Sequence, residues 1–260
     1  MICIPLSSIT TTMSKKNKII QSLTFFIVLG LFSTTLYANS FRVLVFSKTE
    51  GFRHSSIPTG IAAITQLGQE YGFIVEATEN ATLFNFENLQ KFEVIIFLST
   101  TGDVLSIEQQ NAFEQYIYNG GGFVGIHAAS DTEYDWPWYG KLVGAYFDSH
   151  PEIQTATIQV TDQNHISTKH LPKFWERTDE WYNYNKNPRG QVHVLATLDE
   201  SSYSGGNMDN DHPIAWMHEF HGGRSWYTGG GHTEASYAEP DFLKHILGGI
   251  LYASGKSSEK

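Results

Sequence analysis

The chain is 260 residues long and acidic, with 17 basic against 27 acidic side chains and a formal net charge of −10. Such a field repels nucleic acid and argues against a polyanionic partner. Its one cysteine, Cys3, lies in a segment expected to be removed, so the working form has no disulfide, no thiolate ligand and no thiol nucleophile.

That segment comes first along the chain. Residues 1–38 hold no Asp or Glu, and Lys15, Lys16 and Lys18 precede an apolar run from Leu23 to Leu31 that softens through Ser33, Thr34 and Thr35 to Ala38. A basic start, a short apolar stretch and a small residue at the cut site describe a secretory signal peptide. The run falls short of the ~20 residues that span a bilayer, so no stable membrane anchor is expected after cleavage. With no Cys at the cut site, a lipoprotein anchor is not expected either. Met13 is an alternative start. The expectation is export to the periplasm or beyond, then a single domain over 39–255, long enough to bury a core, and a disordered tail over 256–260.

Phe41–Phe46 is a nearly continuous apolar run, as in a parallel strand covered on both faces. A polar loop to His54 follows, then a helix capped by Ser55 or Ser56, with Pro58 in its first turn and Gly72 as its stop. Phe73–Ala77 and Val94–Leu98 read as the second and third strands. Ser106 caps a helix carrying Phe113, Tyr116 and Ile117, the glycines at 120–122 end it, and Phe123–Ile126 is the fourth strand. This rhythm makes a right-handed parallel α/β sheet. Beyond residue 150 the pattern changes. Ile153–Val160 alternates like an antiparallel or edge strand, Val192–Ala196, Pro213–Met217 and Ser225–Thr228 read as further strands, and a helix from Glu239 to Ala253 closes the chain.

Ligands of open α/β sheets gather at the carboxyl ends of the strands. The loops there are Lys48–Ser55, Ser99–Asp103, His127–Asp131 and Gly229–Glu234, all polar, and their coincidence on one rim says more than any one of them. Gly125-Ile126-His127-Ala128-Ala129 has the small-x-residue-x-small form of a nucleophile elbow, with His127 in the nucleophile's place.

These residues carry a resemblance. Thr49-Glu50-Gly51-Phe52-Arg53-His54, Gly121 to Ala129, Thr178-Asp179-Glu180-Trp181-Tyr182, His212-Pro213 with Trp216, and Gly223 to Thr233 resemble, in order, the ThuA-like (trehalose-utilisation) family. The match runs from about Phe41 to Gly255. The resemblance implies the class I glutamine amidotransferase-like superfamily: a flavodoxin-like, doubly wound, mainly parallel sheet, here with extra antiparallel strands in the C-terminal half. It also implies a loss, because amidotransferases carry a Cys at the elbow and a His and a Glu near the last strand to serve it. With His127 at the elbow, and His232 and Glu234 left without a thiol, amidotransfer is excluded.

What remains is rich in histidine and carboxylate. One reading is a divalent metal site, zinc or a similar ion, held by His54, His127, His150 and His232, with Glu180 and His212 as further donors. The other is metal-free acid–base chemistry by His127, His232, Glu180 and Asp131. His54, Arg224, Tyr182, Trp181 and Tyr227 are the expected substrate contacts: Arg224 for oxygen-rich groups, the tyrosines as hydrogen-bond donors, Trp181 as a stacking face. Plainer roles are a strand ion pair for Arg224 and core packing for Trp216. The remaining histidines, 165, 170, 193, 218, 221 and 245, read as solvent-facing or locally bonded. The resemblance implies carbohydrate partners, trehalose or related sugars, in a setting of sugar dehydrogenases that make 3-keto derivatives. An enzyme that cleaves or isomerises a keto-glycoside or disaccharide fits setting and residues. The alternative is an exported carbohydrate-binding module with a decayed active site.

Overall fold

The computed structural model describes residues 40–256. The expected signal segment and the tail beyond Lys256 lie outside the described residues. From Phe41 onward the chain clusters as one unit.

The five parallel strands are β1 (Arg42–Phe46), β2 (Ile74–Thr78), β3 (Val94–Leu98), β4 (Gly122–Ile126) and β11 (Gly223–Thr228). The antiparallel strands of the same sheet are β6 (Gln154–Val160), β7 (Phe174–Asp179), β9 (His193–Leu198) and β10 (His212–Phe220). The order is β2-β1-β3-β4-β11-β10-β9-β6-β7, nine strands in all. The parallel half is the doubly wound arrangement expected, and its order reverses between β1 and β3, where such folds bind ligands. A two-stranded sheet pairs β5 (Phe147–Ser149) with β8 (Asn183–Tyr184). The helices are α1 (Ile57–Tyr71), α2 (Phe86–Leu89), α3 (Ile107–Tyr118), α4 (Pro137–Val143) and α5 (Pro240–Ala253). None of the described helices is long and apolar enough to cross a membrane.

Burial explains the sequence patterns. Every residue of β3 and β4 is buried, so both read as unbroken apolar runs. Phe46, Phe84, Phe97, Phe113, Phe123 and Tyr139 interlock between sheet and helices with ring centroids 4.5–6.2 Å apart. Each such ring, once buried, contributes about 1.5–3 kcal/mol. α3 starts at a full capping box between Ser106 and Gln109. α1 ends on Gly72 in the left-handed conformation (φ 81°).

The sequence reading is refined at three places. Of the two readings of Ile153–Val160 the antiparallel one holds: β6 pairs antiparallel with β7 and β9 and lies between them, not at the edge. β7 itself was not anticipated: its inward residues are Trp175, Arg177 and Asp179, so charges occupy two of three core-side positions and hide the alternation. Ser56 sits at the N-cap of α1 without making a side-chain cap; its hydroxyl donates instead to the Gly231 carbonyl, 3.4 Å away.

Candidate functional site

The elbow forms as its sequence implies. β4 ends at Ile126, and His127 turns the chain with φ 51°, a left-handed conformation that costs a non-glycine residue about 1–2 kcal/mol. Small neighbours make room: a Cβ on Gly125 would lie 2.9 Å from the Tyr227 ring and 3.2 Å from Ala129 Cβ. β11 runs beside β4 with Thr228 opposite Ile126, so the next residue, Gly229, faces the elbow. His127 Nδ1 donates to the Gly229 carbonyl at 2.9 Å, and the Tyr227 hydroxyl donates to the His127 carbonyl at 2.8 Å. A carbonyl oxygen only accepts, so Nδ1 carries the hydrogen and the neutral ring keeps its lone pair on Nε2.

That lone pair meets two other groups. His127 Nε2 is 3.1 Å from His232 Nδ1 and 3.5 Å from Glu180 Oε2, and His232 Nδ1 is 3.0 Å from the same Glu180 oxygen. His232 arrives just past β11, after Gly231 turns at φ 109°. Asp179, wholly buried at the end of β7, fixes that turn by accepting from Gly231 N at 2.8 Å, His232 N at 3.1 Å and the Ser236 hydroxyl at 2.9 Å. Glu180 follows Asp179 directly, so one strand end supplies both the anchor and the carboxylate. His54, from the loop after β1, completes the group edge-on, its ring 4.8 Å from His127 and 5.0 Å from His232. One donor atom from each of His54, His127, Glu180 and His232 lies within 4.8 Å of all the others.

Electrostatics divides the four. Burial, then the neighbouring imidazoles of His127 and His232, pushes His54 down to about 3, so it is neutral, and its buried Nδ1 has no partner among the described residues. Burial opposes ionisation of Glu180, but the imidazoles of His127 and His232 beside it outweigh that cost and hold the carboxyl well below its ordinary range. For His232 burial again disfavours the charge, while the Glu180 hydrogen bond and charge, with Asp179, raise it above the usual imidazole value.

A family model described as ThuA, trehalose utilisation, matches residues 42–253. The chain belongs to the ThuA family. A ThuA-like protein from Bacteroides uniformis is 26% identical, with a TM-score of 0.72 over 84% of this chain and 93% of that one. A ThuA-like protein from Parabacteroides merdae is 19% identical, also at TM-score 0.72, over 85% and 93%. A β-galactosidase from Bacillus circulans sp. alkalophilus shares the fold at 13% identity and TM-score 0.56, over 83% of this chain and 31% of its own. No curated protein matches the chain.

Within this ThuA-family fold the expected residues fall into two groups. His54, His127, His232 and Glu180 converge, and Tyr182 lies against His127 with ring centroids 4.2 Å apart. His150 does not join the ligand cluster. Its Nδ1 donates to the Pro151 carbonyl at 2.9 Å and sits 3.1 Å from the outer oxygen of Glu180, so Glu180 takes the place expected for His150. Asp131 accepts from the Tyr134 hydroxyl at 2.6 Å, outside the cluster. Arg224 pairs in register with Gly122, at the opposite end of the strands, and donates to the Ala253 carbonyl. Trp181 is fully buried, its indole bonded to the Gln154 carbonyl, and so offers no stacking face. Tyr227 is also fully buried and supports the elbow rather than a substrate. His212 is a strut: Nε2 donates to the Tyr182 carbonyl at 2.8 Å, and Nδ1 meets Glu200 at 3.0 Å.

Sequence reasoning missed Asp179 and its support. Arg177 donates to Glu239 at 2.7 Å, approaches Asp179 at 3.3 Å and lies between the rings of Trp175 and Phe242. The only signal in the sequence is the Thr178–Tyr182 segment, where nothing sets Asp179 apart from Glu180.

Proposed function

We propose that this chain is an exported carbohydrate-utilisation enzyme centred on a divalent metal, zinc by its donor set, held by His54, His127, Glu180 and His232. Its reaction is cleavage or isomerisation of a keto-glycoside or disaccharide. The observation that carries this reading is the convergence of the His127 lone pair, the Glu180 carboxylate and His232 Nδ1 at 3.0–3.5 Å. Electron-rich atoms that close repel unless a cation lies among them. A proton on His232 meets the need in part. Tetrahedral ligands with bonds of about 2.0–2.1 Å stand roughly 3.3 Å apart, which matches these spacings. The neutral His54, with an unpartnered ring nitrogen, supplies a further imidazole. Gly229 and Asp179 fix the orientation of His127 and His232 from behind, as outer partners of metal ligands do.

When bound, such an ion acts as a Lewis acid toward a carbonyl or hydroxyl oxygen. A ketone on a sugar ring acidifies the neighbouring C–H, so one base and one acid suffice to expel a glycosidic oxygen. His150 suits the base. Its Nδ1 hydrogen is spent on Pro151, so Nε2 keeps the lone pair, and its side chain is 42% exposed at the mouth of the cluster. Family membership supports a sugar substrate, and the apolar run before residue 39 supports export.

The test is elemental analysis of the purified chain from residue 39, with turnover of 3-keto-trehalose measured before and after chelation. About one ion per chain, with activity lost on chelation and in His127→Ala, is the expected result. A protein that takes up no divalent ion and turns over nothing, yet binds sugar, is the binding module instead.

A further inference from the structure

Phe52 is the anomaly on the rim. The residue is 66% exposed although its ring stands edge-to-face with His54, 4.9 Å between centroids. Single exposed aromatics are ordinary on a protein surface, but this one is held in place. The Thr101 hydroxyl donates to the Phe52 carbonyl at 2.8 Å, Gly51 N donates to that hydroxyl at 3.2 Å, and Glu50 N donates to the Thr101 carbonyl at 2.8 Å. Three bonds to the loop after β3 thus fix the backbone under a ring that is left in water. On its other side Arg53 pairs with Glu79 at 2.6 Å. Glu79 lines an open groove of about 460 Å³ with Lys48, Asn80, Asp103 and Gln109. The Phe52–Arg53 segment therefore links the histidine cluster to a groove that mixes hydrogen-bonding side chains with the apolar Ala81, Val104 and Leu105.

We propose that Phe52 is the floor of a second sugar subsite, so that the substrate is a glycoside of at least two rings: one at the cluster and the next stacked on Phe52. This rests on the carbohydrate reading above. The C–H face of a pyranose is apolar and flat enough to cover a phenyl ring, while its rim of hydroxyls needs the donors and acceptors the groove provides. A one-ring substrate would leave both the ring and the groove empty.

Calorimetric titration with trehalose, a two-ring probe, and with glucose tests this on the intact chain. Phe52→Ala should weaken trehalose about tenfold, Phe52→Trp should restore it, and glucose binding should be unmoved by either. The exposed position predicts an unchanged melting temperature for both variants, which separates binding loss from misfolding. Equal trehalose affinity in Phe52→Ala, or no trehalose binding by the unmodified chain, overturns the proposal. So does a change of sedimentation coefficient in Phe52→Ala with sugar affinity intact, because the ring would then be covered by protein. Trehalose binding that depends on Phe52, without turnover of any keto-sugar, would keep the subsite and remove the enzymatic reading.

Discussion

A single carboxylate, Asp179, anchors the turn that carries His232 into the histidine cluster. It is wholly buried and accepts from two successive backbone amides and a hydroxyl while facing Arg177, so both oxygens are committed. Asn at this position keeps the shape but turns one acceptor into a donor, aimed at groups that are themselves donors. Asp179→Asn should therefore cost about 2–3 kcal/mol of stability, read from the urea midpoint. It should also weaken divalent-metal binding at least tenfold, because His232 loses its anchor. A midpoint and a metal affinity both equal to the parent's would show that Asp179 has no such role. Glu180 was recognisable from sequence as an acid in a polar segment. Asp179 beside it was not, since nothing in one sequence distinguishes a carboxylate that meets a ligand from one that holds a loop.

Among the elements, the β4 turn and the end of β11 form the frame of the site, and the two were unequally legible. Buried parallel strands announce themselves as apolar runs bounded by Ser or Gly, which is why β1, β3 and β4 and the polar loops following them could be placed on one rim. The antiparallel half was harder. β7 puts Arg177 and Asp179 on its inner side, and β8 has two residues, too few for any period. That Arg224 and His232 bracket one strand, with only His232 at the carboxyl end, needed the direction and register of β11, which pairing alone decides. The frame itself depends on close packing between β4 and β11. A methyl on Gly125 would meet the Tyr227 ring at 2.9 Å, and that tyrosine bonds the His127 carbonyl. Gly125→Ala should destabilise the chain by about 1–3 kcal/mol and disturb the elbow. Gly190→Ala, where the new methyl meets nothing within 4 Å, is the matched control. Its effect should stay within about 0.5 kcal/mol. Equal melting temperatures for the two variants would mean that the elbow tolerates a wider strand.

At the scale of the whole molecule, buried neutral histidines make the fold sensitive to acid. His245 in α5 is 2% exposed among Trp226, Trp175 and Phe242, with Nδ1 donating to the Ser167 carbonyl at 2.8 Å. Burial first, then the charges of His170, Arg177 and His165, pushes it down to about 3 despite that hydrogen bond. His165 is pushed down to about 4, again mainly by burial. In the unfolded chain both return toward about 6.5. Below that pH the unfolded state binds protons that the folded state refuses, so their contribution to stability is complete above about 6.5 and lost as pH falls toward 4 and 3. Each refused proton steepens the decline by about 1.4 kcal/mol per pH unit. His245→Asn keeps a donor near Ser167 and removes the titrating ring. It should lower stability at pH 8 through the space it leaves, yet flatten the decline between pH 6.5 and 4.5 by close to one proton. Urea midpoints across that range decide the matter: parallel curves for parent and variant would mean that His245 takes up its proton in the folded state, and that the acid limb belongs to other groups.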